Sequence, residues 1–118
     1  STGVFSINFF NAKKGIAVGG NYLKDKDNAN NVLLTNNGGK TWQKPIIPVF
    51  GYRSGVTYVN KNFCVATGTS GTDISTNGGK KWKNISALSF NAVAAAAHRV
   101  YLISGKGQIY GLHITDIH

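Results

Sequence analysis

Thr35-Asn-Asn-Gly-Gly-Lys-Thr-Trp42 and Ser75-Thr-Asn-Gly-Gly-Lys-Lys-Trp82 are one turn written twice, forty residues apart. A hydroxyl, an asparagine, a Gly-Gly pair and a tryptophan at one register imply a recurring supersecondary unit, so the chain reads as an array. The period suits a propeller blade of about four strands.

Reading backwards from the turn recovers more of the unit. An apolar run ending in glycine precedes each copy, Gly15–Gly20 and Phe63–Gly68, with a third at Val100–Gly105. Ahead of those runs lie alternating segments, Phe5–Phe9, Gly55–Val59 and Phe90–Ala94, joined to them by short polar hairpins. A third strand follows at Val32–Thr35, Thr72–Ser75 and Gln108–Tyr110, and in the first two units a fourth strand opens with Trp42 or Trp82. The expected architecture is all-β, with blade-like antiparallel meanders over residues 1–50, 51–88 and 89–118, the last incomplete. Ala94 to Ala97 favour a helix on propensity alone, but the repeat register predicts a strand there.

Each position of the turn has a structural task. Asn37 and Asn77 can accept hydrogen bonds from backbone N–H groups further along, as in an Asx turn. Gly39 and Gly79 can take positive φ without a Cβ penalty. Thr35 and Ser75 offer hydroxyls for local bonds, and Trp42 and Trp82 bury apolar area against the sheet.

The pattern resembles the Asp-box, or BNR, repeat of sialidases and related β-propellers, Ser-x-Asp-x-Gly-x-Thr-Trp. Thr35, Gly39, Thr41 and Trp42 match it in the first copy, and Ser75, Gly79 and Trp82 in the second. Both copies carry Asn in place of the Asp, and Lys81 replaces the Thr. Over nearly the whole chain the order of strands and turns also resembles the photosystem II stability/assembly factor-like propellers and their bacterial relatives, in their final blades. That resemblance implies a protein-binding scaffold, in a bacterial exported or envelope protein. Some relatives carry an oxidoreductase label, but Gly105–Gly111 is no dinucleotide-binding loop, since no Gly-x-Gly-x-x-Gly leads into a helix.

Charge bears on partners. Thirteen Lys and Arg face four Asp and no Glu, a formal net charge of +9. Such a balance favours anionic partners such as acidic protein surfaces or acidic glycans. Nucleic acid ranks last, because no RNA-binding aromatic motif accompanies the lysines. Cys64 is alone, so an internal disulfide is excluded, and no apolar run approaches the ~18 residues of a membrane-spanning helix.

The inventory argues against an enzyme. Sialidase-type chemistry, which the resemblance invites, implies an arginine cluster and a Tyr activated by a Glu. Arg53 and Arg99 without any Glu cannot supply that set. Asp25 and Asp27 sit in a polar loop that lacks the further ligands and glycine of a calcium site, so no metal or other cofactor is expected. Binding is the better expectation: Tyr52, Arg53, His98 and Arg99 read as a rim where a protein or acidic glycan docks. Three units, one of them incomplete, leave two outer faces uncovered. The chain is therefore expected to be the C-terminal part of a longer propeller, or to have its ring completed by other chains.

Overall fold

The structure is a computed structural model that describes residues 2–24, 31–86, 89–96 and 99–113. Asparagine and glycine turns divide these into ten strands in three antiparallel sheets. The first sheet holds β1 (Thr2–Phe9), β2 (Gly15–Asn21) and β3 (Val32–Thr35). The second holds β4 (Gly55–Tyr58), β5 (Cys64–Gly68), β6 (Gly71–Ser75) and β7 (Lys83–Ser86). The third holds β8 (Ala92–Ala96), β9 (Arg99–Ile103) and β10 (Ile109–His113). Every sheet is a meander in which sequence neighbours pair. A 3-10 turn at Tyr22–Lys24 is the only helical element among the described residues.

β8 is a strand despite its alanines, because each residue pairs with β9, from Ala92 opposite Ile103 to Ala96 opposite Arg99. Cross-strand bonding and a shared core outweigh the few tenths of a kcal/mol per residue that propensity offers.

The sheets stack face to face, with the second in the middle. Alternation along its strands sends opposite faces to opposite neighbours. Val56, Tyr58, Cys64 and Ala66 pack on Ile16, Val18 and Val32 of the first sheet, and Trp82 joins them. Phe63, Val65 and Ile74 pack on Phe90, Val100 and Leu102 of the third. β4 lies against β1 on one side and β8 on the other, so the first strands of the meanders converge. Gly55 permits one approach, since a methyl there would meet the backbone of Ala92 and Val93 at 3.1–3.2 Å. Cross-links reinforce the stack: the Tyr58 amide donates to Asn8 Oδ1 at 3.0 Å, and Ser54 Oγ donates to the Asn91 carbonyl at 2.8 Å.

The fourth strand expected after Trp42 does not form. One bridge between Leu34 and Gln43 is all that continues the first sheet. Pro45 and Pro48 lack the N–H groups that a ladder needs. The chain instead crosses to the second sheet, where Ile46 and Ile47 donate to the Lys80 carbonyl and the Trp82 amide donates back to Ile47. In the second unit no proline intervenes, and β7 follows Trp82 directly. No helix among the described residues is long and apolar enough to cross a membrane.

Candidate functional site

The two repeated corners share a bond pattern. Thr35 Oγ1 donates to Asn37 Oδ1 at 3.0 Å and accepts from the Gly39 amide at 3.0 Å. Ser75 Oγ donates to Asn77 Oδ1 and accepts from the Gly79 amide, both at 2.9 Å. Each Asn Oδ1 also takes an amide four residues on, Thr41 at 3.0 Å and Lys81 at 2.9 Å. Gly39 and Gly79 hold φ of 89° and 91°, a region costly for any residue with a Cβ. Each corner is tied to the first hairpin of its own sheet, with the Gly38 amide on the Lys13 carbonyl and the Gly78 amide on the Asn62 carbonyl.

Substitution within the turn changes one bond. Asn37 Nδ2 donates to Thr41 Oγ1 at 2.7 Å, and Lys81 offers no hydroxyl at the equivalent place. The tryptophans differ more. Trp82 is 5% exposed, its indole N–H on the Gly79 carbonyl at 2.8 Å, and this corner rests against Leu34 and Ile16 of the first sheet. Trp42 is half-buried, edge-on to Phe9 at 6.3 Å, on the outward face of the first sheet. The second corner therefore presses on the face of the preceding sheet, while the first turns its tryptophan outward.

Tyr52 and Arg53 do not share a rim with Arg99. Gly55 pairs with Thr67 and Ala96 with Arg99. The position ahead of β4 thus lies at one end of the stack, and Arg99, at the start of β9, at the other. A meander reverses direction at every strand, which separates Tyr52 and Arg53 from Arg99. Arg99 is exposed, and His98 lies outside the described residues.

Arg53 is fully enclosed instead. Its Nε and Nη2 each donate to Asp73 Oδ2 at 3.0 Å, Nη1 donates to the Tyr52 carbonyl and Ser70 Oγ at 2.8 Å, and Nη2 also donates to the Phe50 carbonyl at 2.8 Å. Asp73 takes two more donors, the Phe50 amide at 2.7 Å and Asn84 Nδ2 at 2.8 Å. This cluster pins the crossing segment to the second sheet, and a buried pair with all its donors and acceptors engaged is unavailable to a substrate. Sequence reasoning placed Arg53 at a docking rim because nothing in its neighbourhood names Asp73, twenty residues away, as its partner.

Cys64 is enclosed, and burial pushes its thiol up to about 12, with the nearby Lys14 charge pulling weakly the other way. Such a thiol is no nucleophile at neutral pH. Among the described residues no three His, Cys, Asp or Glu side chains gather to hold a metal. Asp25, Asp27, Asp116 and His118 lie outside the described residues.

No protein-family model matches the chain, and no curated protein matches it. Solved structures do. "YCF48 bound to D1 peptide" superposes with a TM-score of 0.75 over 94% of this chain at 21% identity. "YCF48 from Cyanidioschyzon merolae" superposes with a TM-score of 0.67 over 93% at 24% identity. The chain spans only 38% and 34% of those two structures. The architecture is accordingly that of part of a β-propeller.

Proposed function

We propose that the chain is a non-catalytic propeller module that docks a segment of another protein. One observation carries the reading: the fold is that of a propeller solved with a peptide bound, the YCF48 complex with D1 peptide. The chemistry of the enclosed groups supports it, since Asp73 is committed to Arg53 and the Cys64 thiol stays protonated. The outer faces support a second element of the same reading. Ile7, Phe9 and Trp42 on the first sheet, with Tyr101 and Ile103 on the third, present apolar surface of the kind that the middle sheet buries on both sides. In this account further blades cover them, supplied by the same polypeptide or by other copies.

The test is a peptide array of unstructured protein termini, run beside a glycan array and a fluorogenic sialoside assay. The expected result is saturable binding to a subset of peptides, with neither sugar binding nor turnover. Sialoside hydrolysis, or glycan binding without peptide binding, would replace this reading with a sialidase-related one.

A further inference from the structure

Between the first two sheets, at the end carrying the repeated corners, lies a cavity of about 310 Å³. Lys14 reaches it from the β1–β2 hairpin, Lys44 from the crossing segment and Lys80 from the second corner. A methyl built on Gly78 would stand 3.0 Å from Lys14 Nζ, so the ammonium group lies against that corner. None of the residues lining the cavity is acidic, although Thr35, Asn36 and Gln43 add neutral polar groups.

Tyr58, which also lines the cavity, provides an independent observation. It is 8% exposed, and its buried hydroxyl has no hydrogen-bond partner. A buried unpaired hydroxyl is destabilising, because it forfeits its bonds to water and gains none in the protein. Phe10 packs on its ring at 5.7 Å and fixes the phenol in place. A phenol can donate to an anion, while the lysines balance its charge without needing close bidentate geometry. An orphaned neutral donor on a residue of a wall that also holds three lysines and no carboxylate is a set of partners for a negatively charged oxygen.

We propose that this inter-sheet cavity binds a small oxyanion, a carboxylate or phosphate group, held by Lys14, Lys44, Lys80 and the Tyr58 hydroxyl. The site goes beyond the docking role above and stands whether or not a peptide docks elsewhere. The two repeats explain why it lies where it does: the first unit's hairpin and the second unit's Gly-Gly-Lys corner meet only when one sheet stacks on the next.

Calorimetric and thermal-shift titrations of the purified protein with inorganic phosphate and with acetate, against chloride at matched ionic strength, test the site. Saturable binding and a raised Tm are expected with at least one of the two. Tyr58→Phe should weaken that binding about tenfold while leaving the ion-free protein as stable or more so, because the orphaned hydroxyl is gone. Lys80→Gln, at an exposed position, should weaken it similarly and guards against a Tyr58 variant that fails to fold. A short peptide with a free terminal carboxylate, compared with its amide, distinguishes the source. If the acid binds better than acetate, the oxyanion belongs to a protein; if phosphate outcompetes both, it is a free ion. Responses indistinguishable from chloride, or unchanged in both variants, would overturn the proposal, leaving the cavity to water.

Discussion

Asp73 Oδ2 stands 3.0 Å from both Nε and Nη2 of Arg53, and neither side chain reaches solvent. Ions so enclosed are held by their partners alone, so removing one leaves the other uncompensated. Arg53→Ala should cost about 3–5 kcal/mol in urea unfolding. Asp73→Asn should also destabilise, and the double variant should lose clearly less than the sum, because both changes break one network. Additive losses would mean that the pair does not act as a unit.

The two tryptophans should respond unequally. Trp82→Ala empties a site inside the core between two sheets, and about 3–5 kcal/mol is expected. Trp42→Ala removes a half-buried ring from an outward face and should cost less than half as much. Fluorescence provides a gentler check: the Trp42→Phe protein, reporting Trp82, should emit further to the blue and resist acrylamide better than the Trp82→Phe protein.

Alkaline pH should weaken the fold. Burial raises the Cys64 thiol from an ordinary 9.0 to about 12 and pushes the Tyr58 phenol upward too. Between pH 9 and 12 the unfolded chain sheds the thiol proton and the folded chain keeps it. Stability is therefore complete below pH 9 and falls as pH rises through that window. Cys64→Ala should flatten part of the slope in a pH series of urea melts, by an amount on the order of a few kcal/mol at pH 11. In the native protein at pH 8, Ellman's reagent should find no reactive thiol until denaturant is added.

Asparagine in place of aspartate makes the corners indifferent to acid. Asn77 Oδ1 accepts from Ser75 Oγ and the Lys81 amide, and an amide oxygen does so at any pH. Asn77→Asp should give a protein whose stability drops below pH ~4, where the carboxyl protonates, beyond any change in the parent. Matching acid profiles for the two proteins would show that the corner does not feel this group.

The sequence made the sheets legible because its turns are explicit. Asn37 and Asn77, with the glycines that follow, set the register, and β3, β5 and β6 lie within a residue of where the pattern puts them. Even the alanine strand β8 could be read from the repeat. Two features were hidden. The missing fourth strand of the first unit turns on Pro45 and Pro48, whose effect was legible, and on pairing with Lys80, which was not. The cluster at Arg53 joins the crossing segment to β6 and β7, and the one at Tyr58 draws on two adjacent sheets; period-based reading places residues on faces without saying which distant residues meet. Arg53 and Arg99 lie apart for a simpler reason: successive ends of a meander point opposite ways, so the start of β4 and the start of β9 are at opposite ends.

The account rests on sheets that need neighbours on both faces, which a mass measurement tests directly. Multi-angle light scattering on the purified 118-residue chain, across a concentration series, should find self-associated species above 12.6 kDa. A monodisperse 12.6 kDa monomer that unfolds cooperatively and binds no hydrophobic dye would contradict it.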